Sequence, residues 1–286
     1  MEKKFSSIGI VCNPNVVEKE KDFITDTLKA VQNFIKNNGE ILIEHHIASH
    51  FAGNFLNEKD RGGRSIVKES NIKDMHCDMI LVFGGDGTIL HTINAVQDVP
   101  IIGINLGRFG FMTELNKNDA IKKLENLFKG NFFIENYDML DINDTYNAVN
   151  EAVICYKFPA RLLDFKIKIN GDVIGFSADG VVIATPTGST AYSLSLGGPV
   201  IHPSANAFVI TPMNSFLGNA KPIVVPSDSE IFINIERANE DAFLIIDGKV
   251  VERIDTGKQI SVKKSKKIAK FIRLEKTMRC AKIFKF

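Results

Sequence analysis

Gly84-Gly85-Asp86-Gly87-Thr88 follows the short apolar run Leu81-Val82-Phe83 and precedes a helical pattern that starts near Ile89. Glycines let a backbone come close to a ligand, and a helix start offers unpaired N–H groups and the positive end of its dipole. The stretch therefore reads as a phosphate-binding turn between a buried parallel strand and a helix, with Gly84, Gly85, Gly87 and Thr88 against the phosphates. Asp86 does not fit a phosphate cradle by charge. A carboxylate repels phosphate, so Asp86 must bind a metal ion, take a proton or face elsewhere. The sequence contains no Gly-x-x-x-x-Gly-Lys-Ser/Thr, so this is not a P-loop.

A second dense motif runs from Ser177 to Pro203 and includes Asp179, Thr185-Pro186-Thr187-Gly188-Ser189-Thr190-Ala191-Tyr192-Ser193-Leu194-Ser195 and Gly197-Gly198. Hydroxyls, glycines and an acid are poor core material. They supply short donors and acceptors, exposed backbone and one aromatic ring, which suits an adenine and its ribose; a polar surface loop is the plainer alternative. Asn150-Glu151 adds an amide and a carboxylate, and a carboxylate can accept both protons of a vicinal diol. In Gly107-Arg108-Phe109-Gly110-Phe111-Met112-Thr113, glycines alternate with aromatics at the end of another apolar run. This is either a tight turn with two core phenylalanines or a place where Phe111 meets a flat ring at the carboxyl ends of the strands.

The elements that must position these residues change character near residue 135. Ahead of it, Ile8–Cys12, Glu40–Ile47, Asp78–Phe83 and Pro100–Asn105 read as strands. Helical spacing marks Asp22–Asn38, Ile89–Val96 and Asp119–Phe128. That alternation predicts an α/β domain with an open parallel sheet over residues 1–134. Phe51–Ser70 has glycines, mixed charge and little periodicity, and reads as a mobile functional loop. His45, His46 and His50 sit where a strand ends, without a completing ligand, and read as surface histidines. Beyond residue 135, short alternating runs with Asn170-Gly171 and Asp247-Gly248 turns predict a β-rich, sandwich-like domain over 135–267, with 268–286 as a candidate return to the first domain. Lys263-Lys264-Ser265-Lys266-Lys267 reads as a solvated or edge-strand run.

Composition narrows the class. At 286 residues, 44% hydrophobic and 24% charged, the chain has the makeup of a globular protein with room for two cores. A formal net charge of +1 argues against a dedicated nucleic-acid binder. Cys12, Cys77, Cys155 and Cys280 form no Cys-x-x-Cys pair and read as reduced thiols. No apolar leader or run long enough to span a bilayer is present, so a cytoplasmic, non-membrane protein is expected.

Taken together, Gly84–Thr88, Gly107–Phe111, Asn150-Glu151 and Asp179–Pro203 resemble the NAD kinase family (bacterial type), in the family's order and approximate spacing. The first motif is shared with lipid kinases and resembles the phosphofructokinase turn; the Thr185–Ser195 stretch is far more specific. The resemblance implies transfer of a phosphoryl group from ATP, or from inorganic polyphosphate, to the adenosine 2′-hydroxyl of NAD, with magnesium or another divalent metal. It implies an N-terminal Rossmann-like domain, a C-terminal β-domain and an NAD site between them, in a homodimer or homotetramer. By the same resemblance Asp86 is the proton acceptor, Gly87 packs beside the dinucleotide and Phe111 lies near the nicotinamide end. Asn150 and Glu151 contact ribose and adenine, while Asp179, Thr187, Thr190, Ala191, Tyr192, Ser193, Leu194 and Ser195 form the nucleoside pocket; Arg161 is a weaker match. The alternatives are a lipid or sugar kinase sharing the glycine turn and a non-catalytic dinucleotide-binding protein. The chain departs from the bacterial pattern at Met213–Lys221, in place of a proline-histidine pair and serine-rich loop, and at Lys249, in place of glutamine.

Overall fold

The structure is a computed structural model describing residues 5–35, 39–51, 67–96, 98–107, 110–156, 162–237 and 242–277. The chain forms two compact units. One ends at Asn136 and resumes at Ala269, and the other runs from Tyr137 to Ile268.

The first unit alternates strands and helices: β1 (Ser7–Cys12), α1 (Lys21–Ile35), β2 (Glu40–Glu44), α2 (His45–Phe51), β3 (Val67–Ser70), β4 (Met79–Phe83), α3 (Asp86–Ala95), β5 (Ile101–Asn105), β6 (Leu115–Asn116) and α4 (Ala120–Phe128). The strands are parallel, in the order β5-β4-β1-β2-β3, with β6 along the far side of β5. Strand side chains alternate between two buried faces. Ile8, Ile10, Ile41, Ile43, Leu81, Phe83, Ile102 and Ile104 join Ile24, Leu28, Ile47, Phe51 and Leu124 of the helices in one core. The opposite face receives α3 through Ile89, which lies against Gly103 of β5. Because β1, β2 and β3 run outward to one side while β4 and β5 occupy the other, the order reverses between β1 and β4. Open α/β sheets bind ligands outside the carboxyl ends of the strands at such a point. There Asn13 N–H donates to the Phe83 carbonyl at 2.9 Å, and Gly84 opens the turn to α3.

The second unit is antiparallel. Its strands are β7 (Phe133–Ile142, entered from the first unit), β8 (Tyr146–Ala148), β9 (Glu151–Tyr156), β10 (Leu163–Ile169), β11 (Asp172–Ala178), β12 (Gly180–Ala184), β13 (Ala207–Met213), β14 (Ile223–Pro226), β15 (Ile231–Arg237), β16 (Ala242–Ile246), β17 (Lys249–Ile254) and β18 (Gln259–Arg273), with one short helix, α5 (Tyr192–Ser195). One layer runs β11-β10-β15-β18 and the other β14-β13-β12-β9-β16-β17. Phe165, Ile167, Ile233, Ile260 and Val262 of the first layer bury against Ile154, Val181, Ile183, Phe208 and Leu244 of the second. This is a sandwich core drawn from alternating strand positions. Asn170-Gly171 and Asp247-Gly248 turn the β10–β11 and β16–β17 hairpins with positive φ at all four residues. The last residues of β18 belong to the first unit, where Phe271 pairs in parallel with Ile101 of β5.

The fold class matches the expectation, and two local readings are corrected. Glu40–Ile47 is not one strand: it stops at Glu44, and His45, His46 and His50 lie on α2. Ile47, Ala48 and Phe51 bury one face of that helix, while His45 and His50 pair with Glu69 and Glu18. Of the expected loop, Val67–Ser70 is strand β3, because β2 offers it a free parallel edge; residues 52–66 lie outside the described residues. Lys263 and Lys264 in the basic run of β18 pair with Asp144 and Asp138. No helix among the described residues is long and apolar enough to cross a membrane.

A Cβ added at Gly103 would stand 2.5 Å from Ile89 Cδ1 and 3.4 Å from the Thr113 backbone. Gly103→Val is therefore expected to overpack the α3 contact and lower stability by about 1–3 kcal/mol. Urea denaturation with an unchanged m-value is the measurement that checks it.

Candidate functional site

Asp86 is the first residue of α3, and Gly85 precedes it without a side-chain cap. The Thr88 N–H is taken by the Gly85 carbonyl at 3.0 Å, and among the described residues those of Asp86 and Gly87 are left to a ligand. Gly84 has φ +156°, and a Cβ there would meet Thr88 Oγ1 at 2.5 Å, so the approach to the helix requires glycine. The Asp86 carboxylate turns back onto the loop after β5: Oδ2 accepts the Phe111 N–H at 2.8 Å and Oδ1 the Met112 N–H at 3.0 Å. Gly110 gives the carboxylate its space, since a Cβ there would lie 2.6 Å from Oδ1. An ionised carboxylate has about four acceptor positions, so two bonds orient Asp86 and still leave capacity for a ligand hydroxyl. The sequence offered Phe111 as a ring against a ligand; what the structure shows is its backbone N–H fixing Asp86.

In the second unit Asp247 performs a similar task. Its carboxylate accepts three successive N–H groups, from Val149 at 2.9 Å, Asn150 at 2.8 Å and Glu151 at 3.2 Å. The turn before β9 is locked by these bonds, and both its polar side chains are buried. Asn150 Oδ1 and Glu151 Oε2 nevertheless have no hydrogen-bond partner among the described residues. Such orphaned acceptors cost about 1–3 kcal/mol each, and two side by side call for a ligand rich in donors. Burial, followed by the nearby Asp247 charge, pushes the Glu151 carboxyl up to about 7, against a smaller opposing effect from the Tyr192 N–H that it accepts.

The hydroxyl-rich stretch divides into support and surface. Thr185 Oγ1 donates to the Val149 carbonyl at 2.6 Å and accepts from Gly188 N–H. Ser189 bonds the Pro186 carbonyl and the Ile201 N–H, Thr190 the Thr187 carbonyl, and Ser193 the Thr211 hydroxyl at 2.8 Å. These hydroxyls build the loop from within. Gly188 presses on the same turn, for an added Cβ would come 2.0 Å from the Asn150 carbonyl. Thr187, Ala191 and Leu194 are half-buried, while Ser195 and the Tyr192 ring, 41% accessible, face outward on the short turn that carries them. Burial raises the Tyr192 phenol above its ordinary range.

Of the expected residues, the structure therefore joins Asp86 to Phe111, Gly84 to Thr88, and Asn150, Glu151, Gly188 and Tyr192 to one another. Gly87 is exposed in the first turn of α3. Asp179 lies apart from the Asn150 turn in its bonding and is held by the divergent segment, accepting from Asn214 Nδ2 at 3.0 Å. Arg161 lies outside the described residues. Sequence reading missed Asp247 and Thr185 as supports and Asn214 as a partner; the Asp-Gly hairpin was the visible signal for the first only. Among the described residues no cluster of three or more His, Cys, Asp or Glu could hold a metal ion.

Comparison with known proteins agrees with these features. A family model of the ATP-NAD kinase N-terminal domain matches residues 8–132, and one of the ATP-NAD kinase C-terminal domain matches residues 149–274. An NAD kinase of Methanothermobacter thermautotrophicus is 40% identical over 212 residues, 72% of this chain and 75% of that protein. An NAD kinase of Methanosphaera stadtmanae is 31% identical over 275 residues, 94% of each. Among solved structures, yeast NADH kinase complexed with NADH superposes with a TM-score of 0.82 at 24% identity, covering 98% of this chain and 86% of that one. An NAD kinase from Archaeoglobus fulgidus in complex with ATP gives 0.73 at 23% identity, covering 97% of both. At those identities the two structures establish a shared fold.

Because the folded Glu151 carboxyl is raised from 4.5 to about 7, it binds its proton more tightly in the folded chain than in the unfolded one. Its contribution to stability is complete below its unfolded pKa and is lost as pH rises through about 7. Thermal melts of ligand-free protein across this range are expected to show the decline. Glu151→Gln should flatten it and melt higher than the parent above pH 7.

Proposed function

The chain belongs to the ATP-NAD kinase family, and from that footing we propose that it transfers the γ-phosphoryl group of ATP to the 2′-hydroxyl of the adenosine ribose of NAD, forming NADP and ADP. The observation that carries this reading is the pair of buried, partnerless acceptors Asn150 Oδ1 and Glu151 Oε2. A nucleoside brings the adjacent hydroxyl and amino donors that such a pair needs. The names of the solved relatives, one complexed with NADH and one with ATP, support a dinucleotide acceptor and a nucleotide donor.

Phosphoryl transfer asks for alignment, charge neutralisation and a destination for the hydroxyl proton. Asp86 supplies the last: its bonds to Phe111 and Met112 fix the carboxylate, and its open acceptor positions take the 2′-hydroxyl. A carboxylate is a far weaker base than an alkoxide. The proton therefore moves late, as the new O–P bond forms and the bond between the γ-phosphorus and the ADP oxygen breaks. The Asp86 and Gly87 N–H groups at the uncapped start of α3 receive phosphate oxygens beside the backbone of Gly84 and Gly85, whereas the Gly84 and Thr88 N–H groups, expected in the same cradle, are taken by the Ile104 and Gly85 carbonyls at 3.0 Å each. Thr187, Ala191, Tyr192, Leu194 and Ser195 surround the nucleosides on a loop that Thr190 and Ser193 brace from within, with Asp179 and Phe111 as further contacts. Magnesium belongs to the reaction as the companion ion of ATP, part of the donor substrate. The proposal extends to a cytoplasmic homodimer or homotetramer, on the resemblance to the family.

Incubating the protein with NAD, ATP and magnesium is expected to yield NADP, read by chromatography. Asp86→Asn should lower kcat by about 100- to 10,000-fold while NAD still binds. Absence of NADP with ATP and with polyphosphate, in folded protein that binds NAD, would sink the reading. Near-parental turnover of Asp86→Asn would sink the base assignment.

A further inference from the structure

We propose that Arg273, at the end of β18, is a positioning residue for Asp86 and acts through Met112; this rests on the role given to Asp86 above. Arg273 is 1% exposed, among the most completely buried side chains of the protein. A buried guanidinium persists only when its charge and its donors are met. Here Nη1 donates to the Met112 carbonyl at 2.9 Å and approaches Glu114 Oε2 at 3.4 Å, and Nε donates to Glu135 Oε2 at 3.1 Å. The guanidinium carbon also lies 4.5 Å from the centre of the Phe271 ring.

Besides the two acids, the guanidinium thus binds a neutral carbonyl. That carbonyl belongs to the residue whose N–H donates to Asp86 Oδ1. Met112 is thus held by both backbone polar groups, its N–H by Asp86 and its carbonyl by Arg273. The residues on either side are tied as well. Phe111 N–H goes to Asp86 Oδ2, and Glu114, two residues on, donates its N–H to the Gly103 carbonyl at 3.0 Å. Glu114 Oε1 in turn accepts the Leu274 N–H at 2.9 Å, so the acid that helps neutralise Arg273 also binds the backbone beside it. The Asp86 carboxylate consequently rests on a loop whose far side is nailed to β18. Moving Arg273 moves the donors that aim the carboxylate.

The test compares Arg273→Lys with the parent and places the same change in an Asp86→Asn background. Lysine keeps the charge but lacks the planar fork that reaches the carbonyl and both acids together. The expected result is a fall in kcat of about tenfold or more with KM for NAD changed less than about threefold, and less than about a twofold further effect once Asp86 is gone. Amide exchange at Phe111 and Met112, read without substrate, is expected to accelerate in Arg273→Lys. Unchanged exchange, parental kcat, or an equal loss of kcat in both backgrounds would overturn the proposal, the last marking a merely structural arginine. If Arg273→Lys does not fold, Glu114→Gln loosens the guanidinium while keeping the shape of the site, and the same cycle and exchange measurement apply. A parent that makes no NADP sinks the functional reading; an active parent with a crippled Asp86→Asn and a normal Arg273→Lys sinks this inference alone.

Discussion

A carboxylate that captures successive N–H groups of a distant loop is the interaction on which the polar cluster of each unit depends. Asp86 takes the amides of Phe111 and Met112, and Asp247 takes those of Val149, Asn150 and Glu151. Each loop is irregular and so has amides unclaimed by a helix or sheet, and each amide buried unpaired would be costly. A charge-assisted acceptor satisfies them and fixes the loop in the same step. The two aspartates differ in what they leave over. Asp247 is used up in support, whereas the two bonds to Asp86 leave acceptor capacity for chemistry.

Small residues accompany each clamp because a carboxylate close to backbone leaves no room for a Cβ. Gly110 clears the space of Asp86 Oδ1, and Gly188 lets the hydroxyl-rich loop press against the carbonyl of Asn150. Thr185 completes the second arrangement by closing on the Val149 carbonyl. The glycines of these motifs thus answer a packing constraint as well as the close approach of a phosphate. At Gly84 a positive φ adds a conformational reason.

Much of this was legible in the sequence, and the limits have a physical cause. Buried parallel strands and amphipathic helices declare themselves through local periodicity, so β1, β4, β5, α1 and α4 were readable, as were the two hairpins through their turn residues. His45–Phe51 was not, because seven residues with three histidines carry too little periodicity to separate helix from strand. Side-chain partners are long-range facts. Asp247 reads as a turn residue, yet its work lies nearly a hundred positions upstream, in the amides of Val149 to Glu151. Thr185, Ser189, Thr190 and Ser193 look like ligand donors in a row, and only the folded loop shows that they bond one another's surroundings. What such a run specifies first is a rigid loop; Tyr192 and the Asn150-Glu151 acceptors are what that loop presents.

The orphaned acceptors also explain why support must be this heavy. Burying Asn150 Oδ1 and Glu151 Oε2 without a partner among the described residues costs free energy that a donor-bearing ligand relieves. A loose loop would escape that cost by letting the side chains swing to water, or by admitting water to them. The Asp247 bonds, Thr185 and the pressure of Gly188 close that escape. Glu151 still has one way out, which is to hold a proton, and its raised pKa is the trace of that relief. Ligand donors and a proton therefore compete to satisfy the same oxygen. Recognition at Asn150-Glu151 and the ionisation of Glu151 are one equilibrium, set by how firmly Asp247 holds the turn.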